Sequence, residues 1–123
     1  MEQKRPADII QELLDYLWNG LGLEEKGWKR LKKGDFKKKM KNGLTYQIWF
    51  DRSRYNYIDY EIGHGNVEVG FTCIIKQGDD RLYSFKIEPT TGVSFFQDAK
   101  LLFGTSRHQI FIIYLFVLRS TAI

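Results

Sequence analysis

Three carboxylates, Asp59, Glu61 and Glu68, flank the glycine-rich segment Gly63-His64-Gly65-Asn66. If the runs on either side pair across that segment as a turn, two or three acids come to one face. Such a group suits a divalent cation or acid–base chemistry at a carboxylate-based enzyme site. The same spacing also describes the solvated side of an ordinary sheet, which is the commoner outcome. The Asp followed by Glu-x-Lys that marks metal-dependent restriction-like nucleases is absent.

Other chemistry-bearing residues lack the company they would need. His64 and His108 stand far apart, and neither has a Cys or carboxylate at a recognisable ligand spacing, so no metal centre is expected. Ser53, within Asp51-Arg52-Ser53-Arg54, has no base beside it, and no Gly-x-Ser-x-Gly elbow occurs. Gly63-His64-Gly65 opens like a dinucleotide fingerprint, but Glu68 stands where the third glycine belongs. No catalytic residue and no cofactor are therefore expected, and an enzyme is the less favoured reading.

Positive charge is more concentrated. Lys32 to Ser53 reads KKGDFKKKMKNGLTYQIWFDRS, with Asn42-Gly43 between two β-prone runs as a hairpin mark. A two-residue loop would mix lysines with Leu44, Tyr46, Ile48 and Phe50 on one face. A three-residue loop, Lys41-Asn42-Gly43 with Gly43 left-handed as a bulge, pairs Met40 with Leu44, Lys38 with Tyr46 and Phe36 with Ile48. Lys37 then faces Gln47, and Lys39 faces Thr45. That register separates an apolar from a polar side, as a half-buried antiparallel sheet requires. The candidate binding face is then Lys37, Lys39, Lys41, Gln47 and Trp49, with Arg52 and Arg54 nearby. Lysines beside an exposed aromatic can grip phosphates and stack a base. Lysines also protect strands against edge-to-edge aggregation, and Trp49 could equally pack beneath a helix.

The elements that must hold these residues follow from periodicity. Pro6 opens a helix over Ala7–Asn19, with Ile9, Ile10, Leu13, Leu14, Leu17 and Trp18 as its apolar stripe and Gly20 closing it. Leu21 to Lys33, punctuated by glycines, reads as a connector. Tyr55–Ile62 alternates as a strand with Ile58, Tyr60 and Ile62 on one side. Val67–Lys76 is a strand with Val67, Val69, Phe71, Cys73 and Ile75 inward. Arg81–Glu88 returns with Tyr83, Phe85 and Ile87 inward, and Pro89 ends it. Ser94-Phe95-Phe96-Gln97 resembles a capping box, predicting a short helix with Phe95, Ala99, Leu102 and Phe103 inward that stops at Gly104. The fold class is α+β: a four- or five-stranded antiparallel sheet with an N-terminal helix and C-terminal helical segments on one face.

At 123 residues, 43% apolar and 15% aromatic, the chain is expected to fold as one domain over 1–123, with its core about 6–104. Residues 105–123 form an apolar tail. Ile110–Leu118 is an unbroken apolar run of nine, far short of the roughly 20 residues of a membrane span. It reads as a buried helix or central strand, or as an abnormal terminus. MEQKRPAD runs into the first amphipathic pattern with no leader-like apolar stretch, and Cys73 is the only cysteine, which together suggest a reducing, cytoplasmic setting. The net charge of +4 is uneven, about +7 over Glu24–Arg54 and −4 over Tyr55–Asp98.

Leu21-Gly22-Leu23, Phe36-Lys37-Lys38, Ile48 to Ser53 and Asn56 resemble the conserved pieces of a bacterial domain-of-unknown-function family of small cytoplasmic α+β proteins. The resemblance covers roughly Asp8–Ile87, with Leu23 in place of the usual aromatic. It implies a helix leading into an antiparallel sheet and no known reaction. Similar small domains accompany bacterial toxin systems as immunity proteins, an analogy that implies protein–protein contact. The favoured function is a non-enzymatic module that binds an unknown protein partner. A nucleic-acid-binding domain using the Lys37/Lys39/Trp49 face is the alternative.

Overall fold

The computed structural model describes residues 4–52, 54–95, 101–103 and 107–121, with backbone alone over 88–95, 101–103 and 107–110. It is α+β, with helices α1 (Pro6–Gly20) and α2 (Arg107–Arg119) on one face of a single antiparallel sheet. The strands are β1 (Lys29–Arg30), β2 (Phe36–Lys39), β3 (Leu44–Arg52), β4 (Tyr57–Asp59), β5 (His64–Gln77), β6 (Asp80–Phe95) and β7 (Leu101–Phe103). Their order is β1-β2-β3-β5-β6-β7, with short β4 pairing the start of β5. The sheet thus exceeds the expected four or five strands, because β1, β4 and β7 are too short to show a period.

The β2–β3 hairpin adopts the bulged register: Phe36 pairs with Ile48, Lys37 with Gln47, Lys38 with Tyr46 and Lys39 with Thr45. Gly43 takes φ 87°, the left-handed conformation that the bulge requires. The Asn42 side chain accepts the Leu44 N–H at 3.0 Å and closes the loop. Met40 N–H donates to Leu44 O at 2.8 Å, which completes the ladder.

The inner face carries the core. Ile9, Ile10, Leu13, Leu14 and Leu17 of α1 are buried against Phe36, Ile48, Val67, Val69, Phe71, Cys73 and Ile75. A line of ring contacts runs from Trp18 to Phe36, Phe50 and Phe71 at centroid distances of 5.0–5.3 Å. The segment after α1 is more than a connector. Leu21, Leu23 and Trp28 are buried in the same core, and the chain then enters β1. Spacing without a period hid that role.

Four expectations are corrected. The strand over Tyr55–Ile62 contracts to Tyr57–Asp59, followed by a turn in which Ile62 is 70% exposed. Its supposed alternation is used otherwise, since the Tyr60 hydroxyl donates to Lys4 O at 2.8 Å. The turn accordingly precedes His64, and Gly65 lies inside β5, where a Cβ would sit 3.0 Å from Tyr57 O. Pro89 does not end β6. The pairing steps from Phe71–Ile87 to Val69–Thr90, so Glu88-Pro89 lies at an irregularity opposite Gly70, a place that tolerates a missing N–H. Beyond it, Ser94 and Phe95 belong to β6 and pair with Leu102 and Leu101 of β7, instead of capping a helix. Thr90, Thr91 and Val93 supply β-branched residues that favour this extension over helix. Residues 96–100 lie outside the described ones.

The apolar run 110–118 is part of α2. Ile113, Phe116 and Val117 are buried in the core, at helical spacing. Phe116 touches the rings of Trp28, Tyr46 and Phe85 at centroid distances of 6.4, 5.4 and 5.7 Å. Among the described residues no helix is long and apolar enough to cross a membrane.

Candidate binding face

The carboxylates do not gather. Asp59 accepts the backbone N–H groups of Glu61 and Ile62 at 3.0 and 3.3 Å and so shapes the turn before β5. Glu68 is held from two sides. Its backbone N–H donates to Asn56 Oδ1 at 2.7 Å, its carbonyl accepts from Asn56 Nδ2 at 3.0 Å, and its carboxylate accepts from Asn66 at 3.2 Å. Asn56 therefore imitates a strand partner for Glu68 where no β4 residue reaches. Glu61 is exposed in the turn. Among the described residues no three His, Cys, Asp or Glu side chains group as metal donors. His64 pairs with Asp59 at the first position of β5, and its Nδ1 meets the Tyr57 hydroxyl. Cys73 is fully buried, and burial pushes its thiol up to about 12.

The basic residues do gather, and more widely than the hairpin alone. Residues paired across antiparallel strands point to the same side. Lys37 and Gln47 therefore share the outer face with Lys29 of β1, and Lys39 and Thr45 share it with Lys76 of β5 and Arg81 of β6. Trp49 lies opposite Thr72, which lies opposite Lys86. The outer face thus carries Lys29, Lys37, Lys39, Lys76, Arg81 and Lys86, drawn from four strands. Asp51 shares their side, and Asp79 stands in the adjoining turn. Among the described residues none of these six cations has a carboxylate within ion-pair distance. The pairs that form, Lys4–Glu12, Arg5–Asp8 and Arg30–Asp15, all involve the α1 side.

Trp49 organises the centre of this face. Its ring centroid is 5.1 Å from Lys76 Nζ and 5.1 Å from Arg81 Cζ. Ile74 lies between Thr72, which faces Trp49, and Lys76 on the same side of β5. Ile74 is 0% exposed although it points away from the core. The half-buried indole, with the two cations against it, is on the side of the sheet opposite the helices and does not pack under one.

The remaining residues of the sequence-derived face are placed elsewhere. Lys41 sits in the hairpin loop beside Lys38, Ser120 and Thr121. Arg52 is exposed but lies opposite Val69, on the core side of the sheet near its end. Arg54 is exposed in the turn after β3. Ser53 lies outside the described residues. Lys29, Lys76, Arg81 and Lys86 were missed because only strand pairing brings them together. The signal available in sequence was their parity: Lys76 alternates with Ile75, and Lys86 with Phe85 and Ile87.

A second surface has the opposite chemistry. Phe111, Tyr114, Leu115 and Leu118 of α2 are 53%, 38%, 48% and 37% exposed. They recur at i, i+3, i+4 and i+7, offset by two positions, about 200° around the helix, from the buried Ile113, Phe116 and Val117. Beside them a groove of about 560 Å³ runs between α2 and β6, lined by Tyr83, Phe85, Ile112, Leu115, Phe116 and Arg119. Tyr83 faces the core side by parity yet is half exposed, because it forms the wall of this groove under Arg119, 5.9 Å away.

The chain matches no protein-family model, no curated protein and no solved structure.

Proposed function

We propose that the chain is a non-enzymatic binding module that works by protein–protein contact through the outward side of α2. One observation carries this reading: α2 has two apolar stripes, and only one is used by the core. A helix apolar on both sides is ordinarily buried on both sides. The second stripe has the i, i+3, i+4, i+7 spacing of a helix-in-groove contact, and the groove beside Tyr83 gives it depth. Arg119 is the ionic group at its rim, and residues 111–119 contain no acid. The fitting partner is an amphipathic helix of another protein, with apolar anchors toward Phe111 and Leu115 and a carboxylate toward Arg119. The analogy with immunity proteins supports the same class of action. A reducing, cytoplasmic setting suits the unpaired, buried Cys73.

The test is capture from native lysate with three forms of the tagged protein. The unaltered protein should recover a partner that then binds in purified form. Leu115→Asp with Phe111→Glu should lose it, and Lys37→Glu with Lys86→Glu should keep it. A partner indifferent to the α2 changes, or recovery of nucleic acid alone, would overturn the reading. A concentration-dependent dimer abolished by Leu115→Asp would replace the foreign helix with a second copy.

A further inference from the structure

We infer that the outer face of the sheet binds single-stranded nucleic acid, with Trp49 as its base-stacking platform. The two helices are on the opposite face, so among the described residues no helix covers this one. It presents six cations that have no carboxylate within ion-pair distance among the described residues, Lys29, Lys37, Lys39, Lys76, Arg81 and Lys86, about one indole. Alternate residues along a strand are roughly 7 Å apart, and neighbouring strands about 5 Å, so the cations surround Trp49 on several sides. Lysine is the common choice for strand edges, but Lys76 is on β5, with Thr45 of β3 on one side and Arg81 of β6 on the other, where no edge needs protection.

The composition of the face selects among polyanions. Beyond Trp49 its centre is polar, with Gln47, Thr72 and Ser84 between the cations. A folded protein would find no apolar ring of contacts around a central anchor there. A membrane surface would find little apolar to take up, since Ile74 is 0% exposed and Leu82, 56% exposed near the start of β6, stands beside Arg81. A duplex would meet a broad surface instead of an element narrow enough for its groove. A single strand offers both needed parts: phosphates to draw Lys76 and Arg81 away from the indole, and a base to take their place on it. Two cations against one ring, with no carboxylate partner among the described residues, are the arrangement a phosphate would relieve.

The experiment uses the whole chain and a labelled oligo(dT) of about 20 nucleotides, followed by fluorescence anisotropy at about 50 and 200 mM salt. Binding should weaken at least about ten-fold between those salts. Trp49→Ala should weaken it a further ten-fold or so. Lys76→Glu with Arg81→Glu should abolish it, as should Lys37→Glu with Lys86→Glu, which leaves the indole in place. Lys32→Glu with Lys33→Glu makes the same change in net charge off this face and should leave binding within about two-fold. Circular dichroism on each variant separates lost binding from lost fold. No binding at low salt would overturn the proposal. So would equal loss in the Lys32/Lys33 variant, tighter binding to duplex, or equal binding to polyglutamate without dependence on Trp49, the last pointing to an acidic protein. Leu115→Asp should not alter oligo(dT) binding, so failure here and failure of the α2 reading remain distinct.

Discussion

The Trp28 indole N–H donates to the Ser120 hydroxyl at 3.1 Å in a buried position, across 92 positions of sequence. The same hydroxyl donates to Val117 O at 2.6 Å, and Lys38 Nζ donates to Ser120 O at 3.0 Å. Ser120 thus ties the last turn of α2 to β2 and to the segment before β1. Lys38 also places a cation where the helix dipole is negative. A lysine on the apolar side of the hairpin is explained by this bond.

Replacing Ser120 with Ala leaves the Trp28 N–H buried and unpaired. The expected loss is about 1–3 kcal/mol in urea-induced unfolding. Trp28→Phe together with Ser120→Ala should cost less than the sum of the single changes, because the orphaned donor goes with its partner. Strict additivity would mean that the two residues act independently.

Phe116 and Leu115 are neighbours with opposite roles. Phe116→Ala empties the space between Trp28, Tyr46 and Phe85 and should cost about 3–5 kcal/mol. Leu115→Ala should stay within roughly 0.5 kcal/mol, since its side chain is half exposed. Thermal denaturation of the two variants side by side measures the contrast.

Gly43→Ala forces a Cβ into the left-handed region, although nothing lies within 4 Å of that atom. The cost should be about 1–2 kcal/mol and purely conformational. Gly43→Asn should recover part of it. Equal destabilisation by both would mean that the loop has a tighter requirement than a left-handed residue.

Cys73 should resist alkylation in the native state and react once the chain unfolds. Its thiol is raised by burial from 9.0 to about 12, so its neutral form is favoured by folding. That contribution is complete below pH 9 and is lost as pH rises from 9 towards 12, at up to about 1.4 kcal/mol per unit. The stability difference between the native protein and Cys73→Ala should therefore narrow across that window. A constant difference would contradict a buried neutral thiol.

The hairpin was legible in sequence because Asn42-Gly43 and strict alternation of Phe36, Lys38 and Met40 constrain the same register from two directions. The α1 stripe and the inward side of β5 were legible for the same reason: each is long and periodic. Residues 94–103 misled because Ser94 and Gln97 satisfy a local capping pattern, whereas the pairing of Val93–Phe95 with Leu101–Phe103 is a tertiary outcome. The binding face was half visible. Lys37, Lys39, Gln47 and Trp49 are close in sequence, but Lys76, Arg81 and Lys86 join them only through the β3–β5–β6 pairings.

The three-ring seat of Phe116 also has a consequence in time. Trp28, Tyr46 and Phe85 come from separate parts of the sheet side, and α2 is synthesised after all of them. As the chain leaves the ribosome, the sheet can pair while this hollow still stands open to water. A nascent chain halted before α2 would therefore expose an aromatic cleft that the finished protein hides. Phe116 closes that hollow only once α2 has packed.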